Sequence, residues 1–155
     1  PNTPMVDCVH SFETIQPMDQ FNDSITYSLP NGTVLSEGDV EVDLVFAVAH
    51  MHVGGIALEM IDAVTNESLC LASREDGMIV YGNRTVPGDE KGYVVGIYPC
   101  VWGGNGTVPP RRRRRHPIRT RAVYNASEGL TGVMSLWLNQ VSPVFYGGPI
   151  WPQSL

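Results

Sequence analysis

The sequence predicts an all-β protein built as a single antiparallel β-sandwich, and three observations support this fold class. The composition, 43% hydrophobic and 17% charged over 155 residues, is typical of one globular domain. The 16 glycines and 12 prolines interrupt the chain too often for helices of ten or more residues. Short apolar stretches recur between these turn signals, and several alternate with period two. We therefore expect residues 1–141 to form one sandwich domain.

The predicted strands follow one another along the chain, each ending at a turn signal. They are ITYSL (25–29), VEVDLVFAVAHMHV (40–53), IALEMIDAV (56–64), MIVYG (78–82), GYVVGIYPCVW (92–102), RAVYN (121–125) and GVMSLWLNQV (132–141). Every second residue from Val40 to Phe46 is apolar, which predicts one buried and one wetter face. The third segment has some helical propensity, but Gly55 and Asn66 leave only about one strand's length between them, so we interpret it as a strand.

Residues 103–117 interrupt this pattern with a Gly/Pro-rich stretch followed by five arginines, Arg111–Arg115. The proline pair blocks a helix and adjacent cations repel one another, so we expect an exposed loop. The arginines would serve as a solvated surface, bind an acidic polysaccharide or a neighbour's carboxylates, or provide a protease cleavage site. Nucleic acid is a poor candidate because the net charge is −6.

The tail, residues 142–155, is apolar and aromatic where a terminus is ordinarily polar. Its apolar side chains should be buried away from water. The tail would either fold back onto its own sandwich or lie on the next subunit as an added strand. The second alternative predicts a homo-oligomer or polymer. No apolar run approaches the roughly 18–20 residues of a membrane span.

Asparagine usage indicates secretion. Six of the eight asparagines open an Asn-x-Ser/Thr sequon: Asn22, Asn31, Asn66, Asn83, Asn105 and Asn125. Ordinary Ser and Thr usage would place a sequon at only roughly 10–15% of asparagines. We therefore expect a secreted, extracellular, heavily N-glycosylated protein, with each sequon at the surface.

Three cysteines, Cys8, Cys70 and Cys100, fit an oxidising compartment with one disulfide and one cysteine left over. We favour the pair Cys70–Cys100, because each lies at the end of a strand-like segment. The sequence alone leaves all three pairings open.

A candidate metal site follows from the stretch AHMHVGG. Side chains at i and i+2 of a strand share a face, so His50 and His52 would stand side by side. Met134 is a candidate third ligand, and a thioether favours Cu(I) over zinc, calcium or magnesium. The alternative is that the histidines flank a turn and bond to the backbone while Met134 fills the core.

Several motifs together resemble the plant stress-up-regulated nodulin family, over residues 7–141. They are DCVH (7–10), AHMHVGG (49–55), LCLAS (69–73), GYVVGI (92–97) with Cys100, and LTGVMSL (130–136). That family is similar to the C-terminal domain of copper type II, ascorbate-dependent monooxygenases such as peptidylglycine α-hydroxylating monooxygenase. The resemblance implies a jelly-roll-like sandwich in which His50, His52 and Met134 hold one copper ion.

The sequence also departs from those families. The plant pattern has histidine where this chain has Leu130. The monooxygenases use a second copper held by three histidines, whereas only His10 and His116 remain here. We expect His116 to be solvated within the arginine loop and His10 to lie in the core or behind a ligand.

These observations favour a structural role over catalysis. We expect a self-associating extracellular subunit of a fibre, sheath or wall, with a vestigial or structural copper-type site. The alternatives are a copper-dependent monooxygenase-like oxidoreductase and an extracellular copper-binding protein. No Gly-x-Ser-x-Gly motif or phosphate-binding glycine loop is present in the sequence.

Overall fold

The computed structural model describes residues 8–18, 27–28, 32, 34–35, 40–85, 87, 90–104, 106–127, 129 and 133–144. This part of the chain forms twelve strands and no helix. They are β1 (Val9–Pro17), β2 (Tyr27–Ser28), β3 (Val34–Leu35), β4 (Glu41–Met51), β5 (Gly55–Asp62), β6 (Ser68–Ser73), β7 (Ile79–Tyr81), β8 (Val94–Ile97), β9 (Cys100–Val101), β10 (Arg111–Arg113), β11 (Pro117–Asn125) and β12 (Ser135–Val144). The prediction of an all-β protein is confirmed, and so is the assignment of IALEMIDAV as a strand.

Two antiparallel sheets face each other. The first has the strand order β1-β11-β5-β6, and the second has the order β10-β4-β12, with β9 also paired to β4. Val42 and Leu44 on β4 pack in one core cluster with Met60 on β5 and Ile118 on β11. The predicted sandwich is therefore confirmed. Two hairpins, β2–β3 and β7–β8, complete the described part of the fold.

A β-bulge at Val45 changes which side of β4 faces the core. On β12, Gln140 lies opposite Phe46 and Val141 lies opposite Leu44, so Val45 has no partner in that register. Before the bulge the even-numbered residues of β4 are buried, and after it the odd-numbered residues are. The predicted alternation therefore holds up to Leu44 and fails at Phe46, which is only half-buried.

The predicted disulfide is confirmed. Cys70 on β6 is bonded to Cys100 on β9, with Cα atoms 6.1 Å apart, and it joins the two sheets along one edge of the sandwich. Cys8 is an exposed free thiol. The opposite edges of the two sheets are β1 and β12.

The expectation of a loop is wrong at Arg111–Arg113, and the expectation of exposure is wrong at Arg114. Arg111–Arg113 form β10, which pairs with β4, and Arg114 is only 3% exposed. The adjacent cations are tolerated because carboxylates elsewhere in the chain form ion pairs with them. One such pair joins Arg111 Nε and Asp43 Oδ1, which are 2.7 Å apart. Arg111, Arg113 and Arg115 remain exposed, and binding of an acidic polysaccharide stays a prediction.

The predicted tail boundary at residue 142 falls inside β12, which continues to Val144 because β4 pairs with it as far as Glu41. Residues 145–155 lie outside the described residues. Within the described part of the chain there is no helix with the length and apolarity to cross a membrane.

Candidate metal site

Two facing imidazoles define the site. His50 lies at the exposed end of β4 and His52 follows one residue after the strand, so both side chains leave the same face. Their Nε2 atoms are 3.1 Å apart, and the two ring planes meet at 76°. The prediction that the two histidines stand side by side is confirmed.

The turn that carries His52 is held from three directions. The Gly55 amide donates to the His52 carbonyl at 3.1 Å, and the Asn125 amide donates to the Gly54 carbonyl at 2.8 Å. The Tyr81 hydroxyl donates to the Gly55 carbonyl. Burial raises the pKa of Tyr81 despite the opposing charge of a nearby arginine, so this hydroxyl keeps its proton.

The two glycines of the motif are required by this turn. Gly54 has φ 83°, a conformation that L side chains rarely adopt. A Cβ on Gly55 would lie 3.0 Å from both Cβ and Cε of Met51. The sequence signal His-x-His-x-Gly-Gly therefore reflects one compact structure.

Met134 lies beside the histidines and not in the core. Ser135 pairs with Met51 across β12 and β4, which places the preceding Met134 next to His52 in the register. Met134 is 45% exposed, so the alternative in which it fills the core is wrong. The structure brings all three predicted ligand residues to one end of the sandwich.

Sequence reasoning missed Tyr124, which fixes the backbone of Met134. Tyr124 is 2% exposed, and its hydroxyl donates to the Met134 carbonyl at 2.6 Å while accepting from Ser135 Oγ at 2.9 Å. The available signal was the alternation in RAVYN, which turns a tyrosine hydroxyl toward the inside, where it needs partners.

The histidine geometry suits a metal ion. The 3.1 Å between the Nε2 atoms is less than twice the usual metal–nitrogen bond length of about 2.0–2.1 Å, so both nitrogens could bind one ion. The described residues contain no cluster of three or more His, Cys, Asp or Glu side chains. The register places Met134 at the same end of the sandwich as the histidines, so its thioether is the candidate third donor. Two imidazoles and a thioether form a donor set that favours Cu(I).

The other two histidines are not among the three predicted ligands. The expectation that His116 is solvated is wrong, and so is the expectation that His10 lies in the core. His10 is exposed on β1, with its ring 6.0 Å from that of Phe12. His116 is 19% exposed and not solvated, because its Nε2 lies 2.9 Å from the buried carboxylate of Asp62.

Asp62 is the centre of a second polar cluster, which the sequence pattern did not indicate. It is fully buried, and it accepts hydrogen bonds from Arg112 and from the amides of Val64 and Thr65 at 2.9 and 3.0 Å. Burial raises the pKa of Asp62, but His116 and these donors together outweigh burial and hold it well below its ordinary value. The cluster ties β10 of the second sheet to the end of β5 in the first.

Three of the six sequon asparagines are described, and all three are exposed in turns or at a strand end. Asn83 Oδ1 accepts from the Thr85 amide at 3.0 Å, and Asn125 Oδ1 accepts from the Ser127 amide at 2.9 Å. Asn66 Oδ1 accepts from Arg119 at 2.9 Å. The remaining predicted sites, Asn22, Asn31 and Asn105, lie outside the described residues.

The fold and the site together define a small, disulfide-linked, antiparallel β-sandwich protein with a candidate His-His-Met metal site. A family model described as stress up-regulated Nod 19 matches residues 9–142, so the chain belongs to that family. The resemblance to the plant nodulin family is thus confirmed. No curated protein and no solved structure matches the sequence.

Proposed function

We propose that this chain is a secreted glycoprotein domain that binds one copper ion through His50, His52 and Met134. The observation that carries the proposal is the 3.1 Å separation of the two Nε2 atoms on an exposed face. Two nitrogen lone pairs this close repel each other unless a proton or a metal ion lies between them. A metal ion is the partner that also uses the neighbouring thioether.

Two further observations support this proposal. The order of motifs resembles the copper-holding domain of the ascorbate-dependent monooxygenases, with these three residues on the ligand positions. The disulfide and the exposed sequon asparagines fit an oxidising, extracellular environment. Both arguments are independent of the distance between the histidines.

The protein's own residues would hold the ligands in place. Tyr81 fixes the turn after His52, and Tyr124 fixes the backbone at Met134, so both sides of the site are positioned before a metal ion binds. Bound copper would supply one-electron redox chemistry. Hydroxylation consumes two electrons, whereas one copper ion supplies one at a time. We therefore propose copper binding and do not extend the proposal to monooxygenase activity.

Copper titration tests the proposal. Cu(I) is titrated into the purified protein against a chromophoric chelator, and metal content is measured on the isolated complex. We expect one copper per chain. His50→Gln or His52→Gln should weaken Cu(I) binding by at least tenfold, which is about 1.4 kcal/mol. Met134→Leu should weaken Cu(I) binding more than Zn²⁺ binding, because a thioether is a poor zinc ligand.

His10→Gln is the matched control, because His10 is also an exposed histidine on a strand but is not one of the three proposed ligands. It should leave the copper affinity unchanged. Stoichiometric binding that His10→Gln reduces as much as His50→Gln would contradict the proposal, as would wild-type affinity no higher than that of the double variant lacking both site histidines.

A second candidate function is the self-association expected from the sequence, and the outer face of the second sheet favours it. Val101 on β9 is 58% exposed and Leu138 on β12 is 55% exposed. None of the strands of this sheet carries a sequon, so glycans would leave the face bare. We propose this face as the contact with a second copy of the chain.

Sedimentation velocity over a concentration series tests self-association. Leu138→Asp should shift the distribution toward monomer. Ile15→Asp is the matched control, because Ile15 is 64% exposed on the first sheet. A wild-type protein that remains monomeric at every concentration would exclude this candidate without affecting the copper proposal.

A further inference from the structure

A cleft opens along the edge of the sandwich that the disulfide does not join. It lies between β1 and β11 on one side and β12 on the other, and its volume is about 310 Å³. This volume is at the lower end of the range for small-molecule sites, about 300–1,000 Å³. The cleft is distinct from the copper site, since none of the three proposed copper ligands lines it.

The inner face of the first sheet is polar where it meets the cleft. Thr14 pairs with Thr120, and Thr120 pairs with the fully buried Met60, so this row of side chains points between the sheets. Facing side chains in a sandwich are ordinarily apolar. Both threonines line the cleft, Thr120 half-buried and Thr14 exposed, so the wall contributed by the first sheet carries hydroxyl groups.

Opposite this row lies Trp137. It pairs with the buried Ala49, so its side chain points inward, and it lines the cleft while packing against both core clusters. Its indole nitrogen is buried and has no hydrogen-bond partner. A buried donor without a partner costs about 1–3 kcal/mol, so such a group calls for an acceptor.

The lining also restricts the charge of any ligand. None of the described residues around the cleft is charged, and its lining includes the apolar side chains of Pro17, Trp137 and Val141, which are only half-buried. An ion entering this cleft would lose its hydration without gaining a counter-charge. A neutral molecule with a largely apolar body avoids that cost.

We propose that this cleft binds a small neutral molecule with an apolar ring and an oxygen acceptor, a carbonyl or an ether, for the indole N–H of Trp137. The hydroxyls of Thr14 and Thr120 provide further polar contacts at the opposite wall. The apolar part of the ligand packs on the half-buried side chains of Pro17 and Val141. The proposal does not depend on copper binding.

The test uses three probes of nearly the same shape and follows the indole N–H resonances by NMR. Acetophenone carries the carbonyl acceptor, α-methylstyrene replaces that oxygen with carbon, and benzoate carries a charge. We expect saturable acetophenone binding that moves one indole N–H resonance downfield, and weaker binding of the other two probes. Trp137→Phe should remove that resonance and weaken acetophenone binding by roughly three- to tenfold, the value of one hydrogen bond.

Trp102→Phe is the matched control, because Trp102 also packs against the core but does not line the cleft. It should leave acetophenone binding intact. Thr120→Val, which keeps the side-chain shape, gives a second measure if Trp137→Phe lowers stability. No indole shift with acetophenone up to its solubility limit would overturn the proposal, as would equal binding of α-methylstyrene or equal binding by the Trp137→Phe protein.

Discussion

The buried carboxylate of Asp62 gives the sharpest stability prediction. Its side chain is 0% exposed and that of its ion-pair partner Arg112 is 21% exposed. Asp62→Asn keeps the size and one oxygen acceptor but removes the buried charge beside Arg112, which keeps its exposed partner Glu67 at 3.0 Å. Breaking a buried ion pair by removing one partner costs about 3–5 kcal/mol. Because the substitution retains one acceptor for the Val64 and Thr65 amides, we expect the lower end, about 3 kcal/mol.

The assay is urea unfolding at neutral pH together with a thermal melt. A loss of about 3 kcal/mol corresponds to a drop in Tm of roughly 6–12 °C for a domain of this size. Asp43→Asn is the matched control, because Asp43 and Arg111 also form an ion pair between side chains that are 20% and 51% exposed. An exposed pair contributes about 0–1 kcal/mol. The reasoning is refuted if the two variants lose equal stability.

Three further predictions concern acid, the disulfide and the tyrosine behind the metal site. The pKa of Asp62 in the folded state lies below its ordinary value of 3.8. The stabilisation that the Asp62 carboxylate provides is therefore present above pH 3.8 and is lost as the pH falls below that value. Urea midpoints measured from about pH 7 to about pH 2.5 should fall less steeply in Asp62→Asn than in wild type. The Cys70–Cys100 bridge spans 30 residues, so Cys70→Ser with Cys100→Ser should cost about 3–4 kcal/mol, and a reductant that lowers Tm in the double variant as much as in wild type would argue against this origin. Tyr124→Phe leaves the Met134 carbonyl without its donor and should cost about 1–3 kcal/mol in urea unfolding and weaken Cu(I) binding, whereas unchanged Cu(I) affinity would show that Tyr124 does not position the ligand.

The sequence predicted those features that depend on local pattern. Period-two alternation and frequent turn residues predicted antiparallel strands, and i, i+2 spacing predicted the facing histidines. The disulfide was favoured because Cys70 and Cys100 each ended a strand-like segment. The alternation and the histidine spacing need only the geometry of one strand at a time.

The features that were missed depend on contacts between distant segments. The bulge at Val45 is set by the pairing of β4 with β12, and alternation along β4 alone could not reveal it. The arginine run was expected to face solvent because its carboxylate partners lie far away in the sequence, as Asp62 does for Arg112, 50 residues apart. A charge pattern predicts a surface only when the rest of the chain offers no counter-ion.

The Cys70–Cys100 disulfide links the two sheets covalently at one edge of the sandwich and leaves the opposite edge without such a link in the described residues. The strands at that opposite edge are Val9–Pro17 of the first sheet and Ser135–Val144 of the second. We expect amide protons in these two edge strands to exchange with solvent sooner than amide protons beside the disulfide. A ligand bound between the two sheets at this edge would contact both, and its binding would slow amide exchange in both edge strands at once.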